Sequence, residues 1–379
     1  MTVLTNIELG GNRLDAQVLA RMTRLEVRET DRDPTMAIVR FGLAQLPSGE
    51  MFPLDNDVFA PATRIAVDLA PPGGRTTRIL DGFVTHVRPH FESVEANCYL
   101  EVVAMDAGAL MAIGDHAEAY PDATDSEAAT RVFSRYSLAN GNITSTNARH
   151  DKDIQLLVQR ESDWAFVQRL ARRNGFRCYL EHDAGRSQVV AHFAPISTSS
   201  PQADLTILRA GSNLKWIDVQ HPYAVPVRGR AFAIEPIAKR LVQASGTRIT
   251  EPLGGDPAAT ATDRGLDAAR ATARERWARD PQPSSASITT EANAVTDALE
   301  LCIEARGELD PALYRGLLRA RRTVLLKGVG TRLAGSWYVS SVRTTLDTGV
   351  LTQTFVLQRN AIAPSGGERF GTTAEEADA

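Results

Sequence analysis

The carboxylate pair closest to a recognisable catalytic arrangement in this sequence is Glu161 and Asp163. Two carboxylic acids facing one bond are what glycosidases use to cleave it. Both residues flank the start of a predicted helix, however, and acidic side chains there are stabilised by the helix dipole. The structural interpretation is therefore favoured, and we predict no catalytic residues.

Metal binding is disfavoured by the same kind of argument. His86 and His90 have the four-residue spacing of a helical zinc pair, but they lie in a strand pattern with Pro89 between them. Residues i and i+4 of a strand are about 13 Å apart. No glutamate completes a His-Glu-x-x-His motif. We predict no metal site.

The remaining candidate motifs also have simpler explanations. Gly328-Val329-Gly330 superficially resembles a dinucleotide loop, yet it joins two predicted strands instead of opening a helix, so we predict a turn. The cysteines are odd in number, far apart and set in apolar surroundings, which is typical of core residues: Cys98, Cys178 and Cys302. We predict no cofactor.

Composition and charge exclude several classes of protein. The 379 residues suffice for two or three domains, and the net charge is −4, of which −3 lies in residues 364–379. The nearly neutral remainder gives no electrostatic sign of a nucleic-acid binder, which is usually basic on one face, and a small local patch stays open; we predict no specific nucleic-acid binding. Neither a signal peptide nor a long apolar run is present, so we expect a soluble cytoplasmic product without membrane insertion.

The first half of the chain changes character near Asp106. Residues 25–105 alternate apolar and polar positions between turn signals, which predicts five or six antiparallel strands in a barrel or sandwich. A helix is predicted over residues 125–136, with Asp or Ser at its cap. A second helix is predicted to begin at the N-cap Ser162 and end at Gly175, a left-handed C′ position.

This second helix has a clear apolar face. Trp164, Val167 and Ala171 share it, with Phe166 and Leu170 beside them. We expect the Trp164 face to pack on strands 177–182 and 188–193, within a compact α/β insert. The arginines of the opposite face are expected to be solvated: Arg169, Arg172 and Arg173.

The second half returns to strands. They are predicted over residues 205–208, 215–220, 224–235, 322–327, 336–343 and 351–357. An Ala- and Arg-rich helix with Leu266 and Trp277 at helical spacing is predicted over 258–279, and Pro281 bars its continuation. Residues after Ala363 have a composition that is typical of disorder.

One hairpin-like sequence pattern occurs twice in this chain. TRILDGFVTHVR occupies residues 77–88, and TRLAGSWYVSSVR occupies 331–343. Each copy passes through a glycine, Gly82 or Gly335, and ends on aromatic-Val-hydroxyl-x-Val-Arg. The repeat predicts two copies of one small β-domain, with residues 82–88 overlying 335–343 and a helical interruption in the second.

Two stretches resemble a known family. QRESDWAFVQRLARRNGF, residues 159–176, is similar to a segment of phage tail hub proteins of the late-control D type and of the hub part of type VI secretion spike proteins. A second match covers residues 324–360 through Gly328–Gly330, Gly335–Val339 and Thr352–Phe355. The structural motif residues that this resemblance marks are Ser162, Asp163, Trp164, Phe166, Leu170, Gly175, Gly82, Gly335 and Trp337.

The resemblance implies an α+β, mostly β fold with two tail-tube-like barrels. The implied domains are a barrel over 1–106, an α/β insert over 107–204, a second barrel over 205–363 with a helical insertion about 258–306, and an acidic disordered tail over 364–379. Such hubs are homotrimers whose six barrels join a trimeric spike to a hexameric inner tube. That symmetry conversion would explain the repeated hairpin.

The expected role is therefore a structural baseplate hub, made and assembled in the bacterial cytoplasm. The chain does not continue into the needle of type VI spike proteins, which favours a separate spike protein and a phage tail or extracellular injection particle. Other expected partners are inner tube or tube-initiator proteins and other baseplate proteins. The alternatives are a receptor- or carbohydrate-binding β-rich adhesin and a hub-associated cell-wall hydrolase.

Overall fold

The computed structural model describes residues 3–368 except 56–57, 154–155, 199–200, 224, 269–273 and 280–283. Pro281 and residues 369–379 of the predicted acidic tail (364–379) lie outside the described residues, whereas residues 364–368 are described and the Glu368 carboxylate accepts from the Ser365 and Gly366 amides. The chain is mostly β, and α and β elements are segregated, as the sequence predicts. No described helix combines the length and the apolarity that crossing a membrane requires.

The first β region contains nine strands, a single turn of α-helix and a short 3₁₀ helix at Glu95–Asn97. Its elements are β1 Leu4–Leu9, β2 Asn12–Arg13, α1 Ala16–Leu19, β3 Met22–Thr30, β4 Met36–Gly42, β5 Ala44–Gln45, β6 Met51–Phe52, β7 Arg64–Ala70, β8 Thr77–His90 and β9 Tyr99–Met105. Alternate residues of these strands form one apolar core.

The α/β region that follows has its own core, built between three helices and two small sheets. Its elements are α2 Gly108–Met111, β10 Asp115–Tyr120, α3 Asp125–Arg135, β11 Ala139–Ile143, β12 Leu157–Ser162, α4 Asp163–Arg173, β13 Arg177–Asp183 and β14 Gln188–Ala194. β10 pairs with β12, and β14 lies between β11 and β13.

The second β region has a third core. Its elements are β15 Leu205–Thr206, β16 Leu214–Gln220, β17 Arg228–Glu235, β18 Arg240–Ser245, β19 Asp256–Pro257, α5 Ala258–Ala268, β20 Glu275–Trp277, α6 Ser285–Glu300, β21 Ile303–Leu309, α7 Pro311–Tyr314, β22 Thr323–Lys327, α8 Gly330–Leu333, β23 Gly335–Asp347, β24 Val350–Arg359 and β25 Ala361–Ile362. The elements from β17 to α6 form an insertion between β16 and β21.

The two β regions share one strand order. The first runs β1-β7-β8-β9-β4-β3, and the second runs β15-β22-β23-β24-β21-β16. If the six strands in each of these orders are numbered 1 to 6 along the chain, their order across the sheet is 1-4-5-6-3-2 in both regions. They differ at the first strand, since β1 is antiparallel to β7 whereas β15 is parallel to β22. No ladder among the described residues closes either set into a barrel, so the barrel stays a prediction.

Matching irregularities fix the equivalence residue by residue. The β8–β9 ladder has a bulge between Val84 and His86, and the β23–β24 ladder has one between Val339 and Ser341. The bulged residues make the same bond: the Thr85 hydroxyl donates to a β9 carbonyl and the Ser340 hydroxyl to a β24 carbonyl, both at 3.1 Å. Because a bulge inserts one extra residue at a defined point of a strand, the two bulges align Thr85 with Ser340 and therefore β8 with β23.

A second bulge relates the outer strands. In β3 it lies between Met22 and Arg24, opposite β4, and in β16 it lies between Leu214 and Trp216, opposite β21. Counting along these ladders makes β16 the equivalent of β3, with a constant offset of 192 residues.

The predicted match between the two glycines is wrong. Counted back from the bulge, the equivalent of Gly82 is Trp337 and not Gly335, because Gly82 faces Ile65 and Trp337 faces the corresponding Val324. A Cβ at Gly82 would lie 2.1 Å from the Met105 carbonyl oxygen. Gly335 is needed for a different reason, since its φ is +128°.

The predicted helix over 258–279 is also wrong in its second half. α5 ends at Ala268, and Trp277 lies on β20, a strand parallel to β17. The interruption is larger than one helix. It includes α6, which lies within the predicted helical insertion about 258–306, and the three-stranded sheet of β17, β18 and β20, which the sequence analysis did not predict. The N-cap of α3 is Thr124, in a capping box with Glu127, instead of an Asp or Ser.

The buried face of α4 is centred on Phe166 and not on Trp164. Phe166 and Leu170 are completely buried in the core of the α/β region, and Phe166 stacks on Tyr120 of β10 with 5.1 Å between ring centroids. Trp164 is only half-buried, with its ring over Gly108 of α2.

We therefore expect Phe166→Ala to lower the free energy of unfolding by about 3–5 kcal/mol, because it opens a cavity in a sealed core. Trp164→Ala, the matched control on the same helix, should cost only about 1–2 kcal/mol, since much of its ring stays in water. Chemical denaturation of both variants checks the order. A larger loss for Trp164→Ala would contradict this placement of the helix.

Candidate assembly site

The two β regions meet along one strand ladder, which we call the domain junction: residues 24–30 of β3 and residues 341–347 of β23. The ladder is antiparallel and runs from Ser341 opposite Thr30 to Asp347 opposite Arg24. It makes a single continuous sheet of both regions. Backbone groups that would be an exposed edge in either region alone are paired here.

Charged side chains reinforce the domain junction. Arg343 lies 3.5 Å from the Glu26 carboxylate, and Arg24 lies 3.5 Å from Asp347. Burial raises the pKa of Glu26, but hydrogen bonds from Arg28 and Arg24 outweigh it and hold the pKa below its ordinary value. Glu26 therefore stays ionised and attracts arginines from both strands.

Apolar residues cross the domain junction as well. Leu346 at the tip of β23 faces Leu25 of β3, and Leu346 and Leu351 are part of the first apolar core. The second β region thus supplies residues to the first core. Separating the regions would expose both kinds of contact to water.

Beside the junction lies a buried ion pair between Arg319 and Glu29. The Arg319 Nε lies 2.8 and 3.0 Å from the two Glu29 oxygens, and its Nη1 donates to the Arg78 carbonyl at 3.2 Å. Both side chains are almost completely buried. Burial lowers the pKa of Arg319, but the Glu29 carboxylate raises it more, so the net shift is upward.

Arg321 contacts all three regions. Its guanidinium donates to the Thr30 carbonyl at 2.8 Å, to the Leu180 carbonyl of β13 at 3.0 Å and to the Thr35 hydroxyl at 3.1 Å. It also stacks over the Tyr179 ring at 4.5 Å. A single side chain of the second β region therefore fixes the α/β region against the first.

Two further ion pairs seat the α/β region on the first β region. Arg177 at the start of β13 lies 2.5 Å from Asp31, and His182 at its end lies 3.1 Å from Asp81. All four side chains are largely buried. Together with Arg321, these contacts place the three regions in one fixed arrangement.

The carboxylates that resemble a glycosidase pair are both engaged in structural contacts. Ser162 caps α4 by accepting from the Ala165 amide at 3.3 Å. The buried Asp163 accepts from Arg135 at 2.5 Å, from the Tyr136 hydroxyl at 2.9 Å and from Gln159 at 2.7 Å. The Glu161 carboxylate accepts from Arg169 at 2.7 Å. The end of the helix is equally regular, since Gly175 has a φ of +71°.

The prediction that Arg173 is solvated is wrong. Its Nε donates to the buried carboxylate of Asp125 at 2.6 Å, and the same carboxylate receives bonds from His150 at 2.8 Å and Asn174 at 2.6 Å. Arg173 thereby joins the C-terminal end of α4 to the N-terminal end of α3. Burial raises the pKa of Asp125, but these hydrogen bonds lower it to about 2.

The other sequence candidates are dispersed. His90 contacts Glu92 at 3.1 Å and stacks on Tyr99, and His86 contacts Thr85 at 3.1 Å. The part of the chain that the structure describes contains no group of three or more side chains that could hold a metal ion. The Gly328–Gly330 segment leads from β22 into a single helical turn and lies against Ile207.

Sequence reasoning missed the residues that hold the regions together: Glu29, Asp31, Arg177, Arg319 and Arg321. Each lies in or next to a strand or helix pattern where a charged residue is ordinary. Their partners are far away in sequence, 290 positions in the case of Arg319 and Glu29. The one sequence feature that could have indicated them is the dense group of arginines in Arg319-Ala-Arg-Arg.

Comparison with known proteins gives one family and several related folds. The sequence profile of the family described as Alg8 N-terminal domain matches residues 2–205. No curated protein sequence matches the chain. Among solved structures, the 43 kDa tail protein of prophage MuSo2 from Shewanella oneidensis is similar with a TM-score of 0.66 and 12% identity, over 95% of this chain and 100% of that one.

Two other structures are similar over most of their length. A tail protein from Neisseria meningitidis MC58 has a TM-score of 0.64 at 11% identity, over 96% of this chain and 98% of that one. The E. coli protein c3393, described as a type VI secretion component similar to T4 bacteriophage tail proteins, has a TM-score of 0.55 at 14% identity, over 94% and 79%. The fold is therefore that of phage tail and type VI spike-related proteins.

The buried ion pair gives a testable result. Arg319→Met should lower the free energy of unfolding by about 3–5 kcal/mol, because it leaves Glu29 buried without a counterion. Replacing both partners, Arg319→Met with Glu29→Leu, should recover most of the loss. Arg306→Met, which breaks an exposed pair with Glu304 in β21, is the control and should change stability by less than about 0.5 kcal/mol. A double variant no better than the single one would contradict this.

The Asp125 cluster predicts a pH dependence. The folded pKa of about 2 lies below the ordinary value near 3.9, so the ionised carboxylate stabilises the fold above about pH 4 and this is lost as pH falls towards 2. The difference in unfolding free energy between wild type and Asp125→Asn should shrink by on the order of 2 kcal/mol over that range. Denaturation between pH 2 and 6 measures it, with Asp122→Asn, an exposed position, as control. A gap that is constant with pH would contradict the assignment.

Proposed function

The chain belongs to the Alg8 N-terminal domain family, and we propose that it is the structural baseplate hub of a phage tail or contractile injection particle. In this role it is a homotrimer that joins a trimeric spike, carried on a separate polypeptide, to a hexameric inner tube. It acts by geometry and has no catalytic activity of its own.

The observation that carries the proposal is the repeated strand order. One chain contains two sets of six strands in the same order, with matching bulges, joined edge to edge in one sheet. Three such chains would present six similar strand sets with only three-fold symmetry. That is what an adaptor between three spike subunits and six tube subunits requires.

The related folds support the same role. The prophage tail protein from Shewanella and the tail protein from Neisseria match this chain over nearly its whole length, including both β regions and the α/β region. The E. coli relative is described as a component of a type VI secretion system. Inner tube or tube-initiator proteins and other baseplate proteins are the partners that a hub at this position would contact.

A receptor- or carbohydrate-binding role is the second candidate, and one observation favours it. The β17–β18 hairpin and β20 expose a group of large apolar side chains: Phe232, Ile234, Ile237, Leu241 and Trp277. Phe232 and Trp277 form an edge-to-face pair at 5.4 Å. Exposed apolar patches mark contact surfaces. In the hub, this patch faces another baseplate component.

A cell-wall hydrolase would need a free acid–base pair. The closest pair, Glu161 and Asp163, holds α4 in place, so Asp163→Asn should destabilise the protein without removing any muralytic activity. Release of soluble fragments from purified peptidoglycan by the wild-type chain, lost in this variant at a temperature where it remains folded, would establish the hydrolase instead.

Copy number in the particle tests the hub directly. We expect three copies of this chain for every six subunits of the tube ring that it contacts, measured by quantitative mass spectrometry of purified particles. The isolated chain can be monomeric before the spike or tube nucleates it. Six copies, or labelling of the chain on the outer surface of the particle, would overturn the proposal in favour of an adhesin or sheath-associated role.

A further inference from the structure

The two strand edges that form the domain junction each have an equivalent elsewhere in the chain, and among the described residues neither equivalent is paired on that side. β3 has a neighbour on each side, β4 and β23, whereas its equivalent β16 pairs with β21 alone among the described residues. The second half of β23 likewise lies between β24 and β3, whereas the second half of β8 pairs, within the part of the chain that the structure describes, with β9 alone. Each chain therefore has one free edge of each type that forms the junction.

We propose that residues 86–92, the end of β8 and the two residues after it, pair antiparallel with residues 216–222, the end of β16 and the two residues after it, of a second copy of this chain, in the register of the domain junction. This inference rests on the proposed hub and names the contact by which its subunits join. The contact is head to tail, because the two edges belong to different β regions. A head-to-tail contact closes a ring when its rotation divides a full turn.

The register follows from the ladders within the chain. Ser341 to Asp347 correspond to His86 to Glu92, and Arg24 to Thr30 correspond to Trp216 to Pro222. The pair Arg343–Arg28 therefore becomes Arg88 opposite Gln220 of the second copy. In the same way Leu346–Leu25 becomes Phe91 opposite Ile217.

One of the two ion pairs that cross the domain junction has an equivalent at the free edges, whereas the other, Arg24–Asp347, corresponds to Trp216 and Glu92. Arg343, which binds Glu26 at 3.5 Å in the junction, corresponds to Arg88, and Glu26 corresponds to Asp218. Among the described residues, the exposed Asp218 carboxylate has no hydrogen-bond or ion-pair partner. The proposed pairing brings Arg88 of one copy to Asp218 of the next, and it places His90 directly opposite the same carboxylate.

Burial points the same way. Leu25 and Val27 of β3 are completely buried, whereas the corresponding Ile217 and Val219 of β16 are half-buried. Leu346 is buried in the junction, whereas the corresponding Phe91 is 55% exposed, and Trp216 beside it is 45% exposed. A second copy in this register would remove these apolar surfaces from water.

One residue limits the edge. Pro89 corresponds to Thr344, and its missing N–H removes one donor from the new ladder while leaving the carbonyl to accept. Proline on an edge strand discourages indiscriminate pairing. The side-chain contacts of Arg88, His90 and Phe91 then select the correct partner edge.

A disulfide at the proposed register tests the contact. In the junction, Asp31 N donates to Ser340 O, and Thr348 N donates to Thr23 O. Because hydrogen-bonded and non-hydrogen-bonded pairs alternate along an antiparallel ladder, Arg343 and Arg28 form a non-hydrogen-bonded pair. The Cα atoms of such a pair are about 4.5 Å apart. Arg88→Cys with Gln220→Cys should therefore cross-link within assembled particles under mild oxidation. The product should be a covalent trimer on a non-reducing gel.

The control is a register shifted by one residue, Arg88→Cys with Val219→Cys, whose side chains would lie on opposite faces and should not cross-link. The unaltered chain controls for its own cysteines. Three copies per particle without the 88–220 cross-link would refute the edge pairing and leave the hub intact. Cross-linked ladders beyond the trimer would support the pairing and refute the three-subunit ring.

Charge reversal provides an independent measurement. Asp218→Arg should reduce the yield of assembled hub at least tenfold, and adding Arg88→Glu should restore most of it. Glu235→Arg, a reversal on the exposed β17–β18 hairpin, should not impair ring formation. Normal yield of the Asp218→Arg variant, or no recovery in the double variant with both proteins folded, would overturn the proposed pairing.

Discussion

Unpaired backbone groups at sheet edges are the constraint on which this structure depends. Taken alone, the first set of six strands would have an exposed edge at β3, and the second set would expose one side of the second half of β23. Such edges promote aggregation. The chain pairs these two edges with each other, so that its two β regions become one sheet. Glu26 stabilises the ladder because it stays ionised beside arginines of both strands.

The α/β region depends on that arrangement. Arg321, Arg177 and His182 bind it to backbone and carboxylate groups on both sides of the domain junction. Buried ion pairs of this kind add little net stability, but they penalise any other arrangement in which one partner would be buried alone. The three regions are thus held in one orientation, as the proposed hub would require.

Much of the fold could be predicted from local sequence. The ends of α4 are given by Ser162 and Gly175, residue types that favour those backbone positions. The repeated hairpin was visible because its pattern of aromatic, valine, hydroxyl and arginine residues survives in both copies. The hydroxyl in that pattern is the bulged residue, Thr85 or Ser340, so the repeat preserved a backbone feature as well as a hydrophobic one.

Other features could not be predicted, for physical reasons. Gly82 and Gly335 serve different needs, close approach of a carbonyl at one and a positive φ at the other, so matching them misaligned the repeat. Trp277 has helical spacing but pairs with Arg230 in a strand, since tertiary contacts override local propensity. The ion pair between Arg319 and Glu29 joins residues whose proximity only the completed sheet creates.

The central claim is that one chain supplies two equivalent positions in a ring of six. Cryo-electron microscopy of the purified particle, reconstructed with three-fold symmetry only, tests it most directly. The account predicts that a 60° rotation of the hub layer superposes the two six-stranded sets, including the bulges at Thr85 and Ser340, but does not superpose the α/β regions. A layer in which the two strand sets lie at different radii or heights, so that only a 120° rotation repeats, would contradict it.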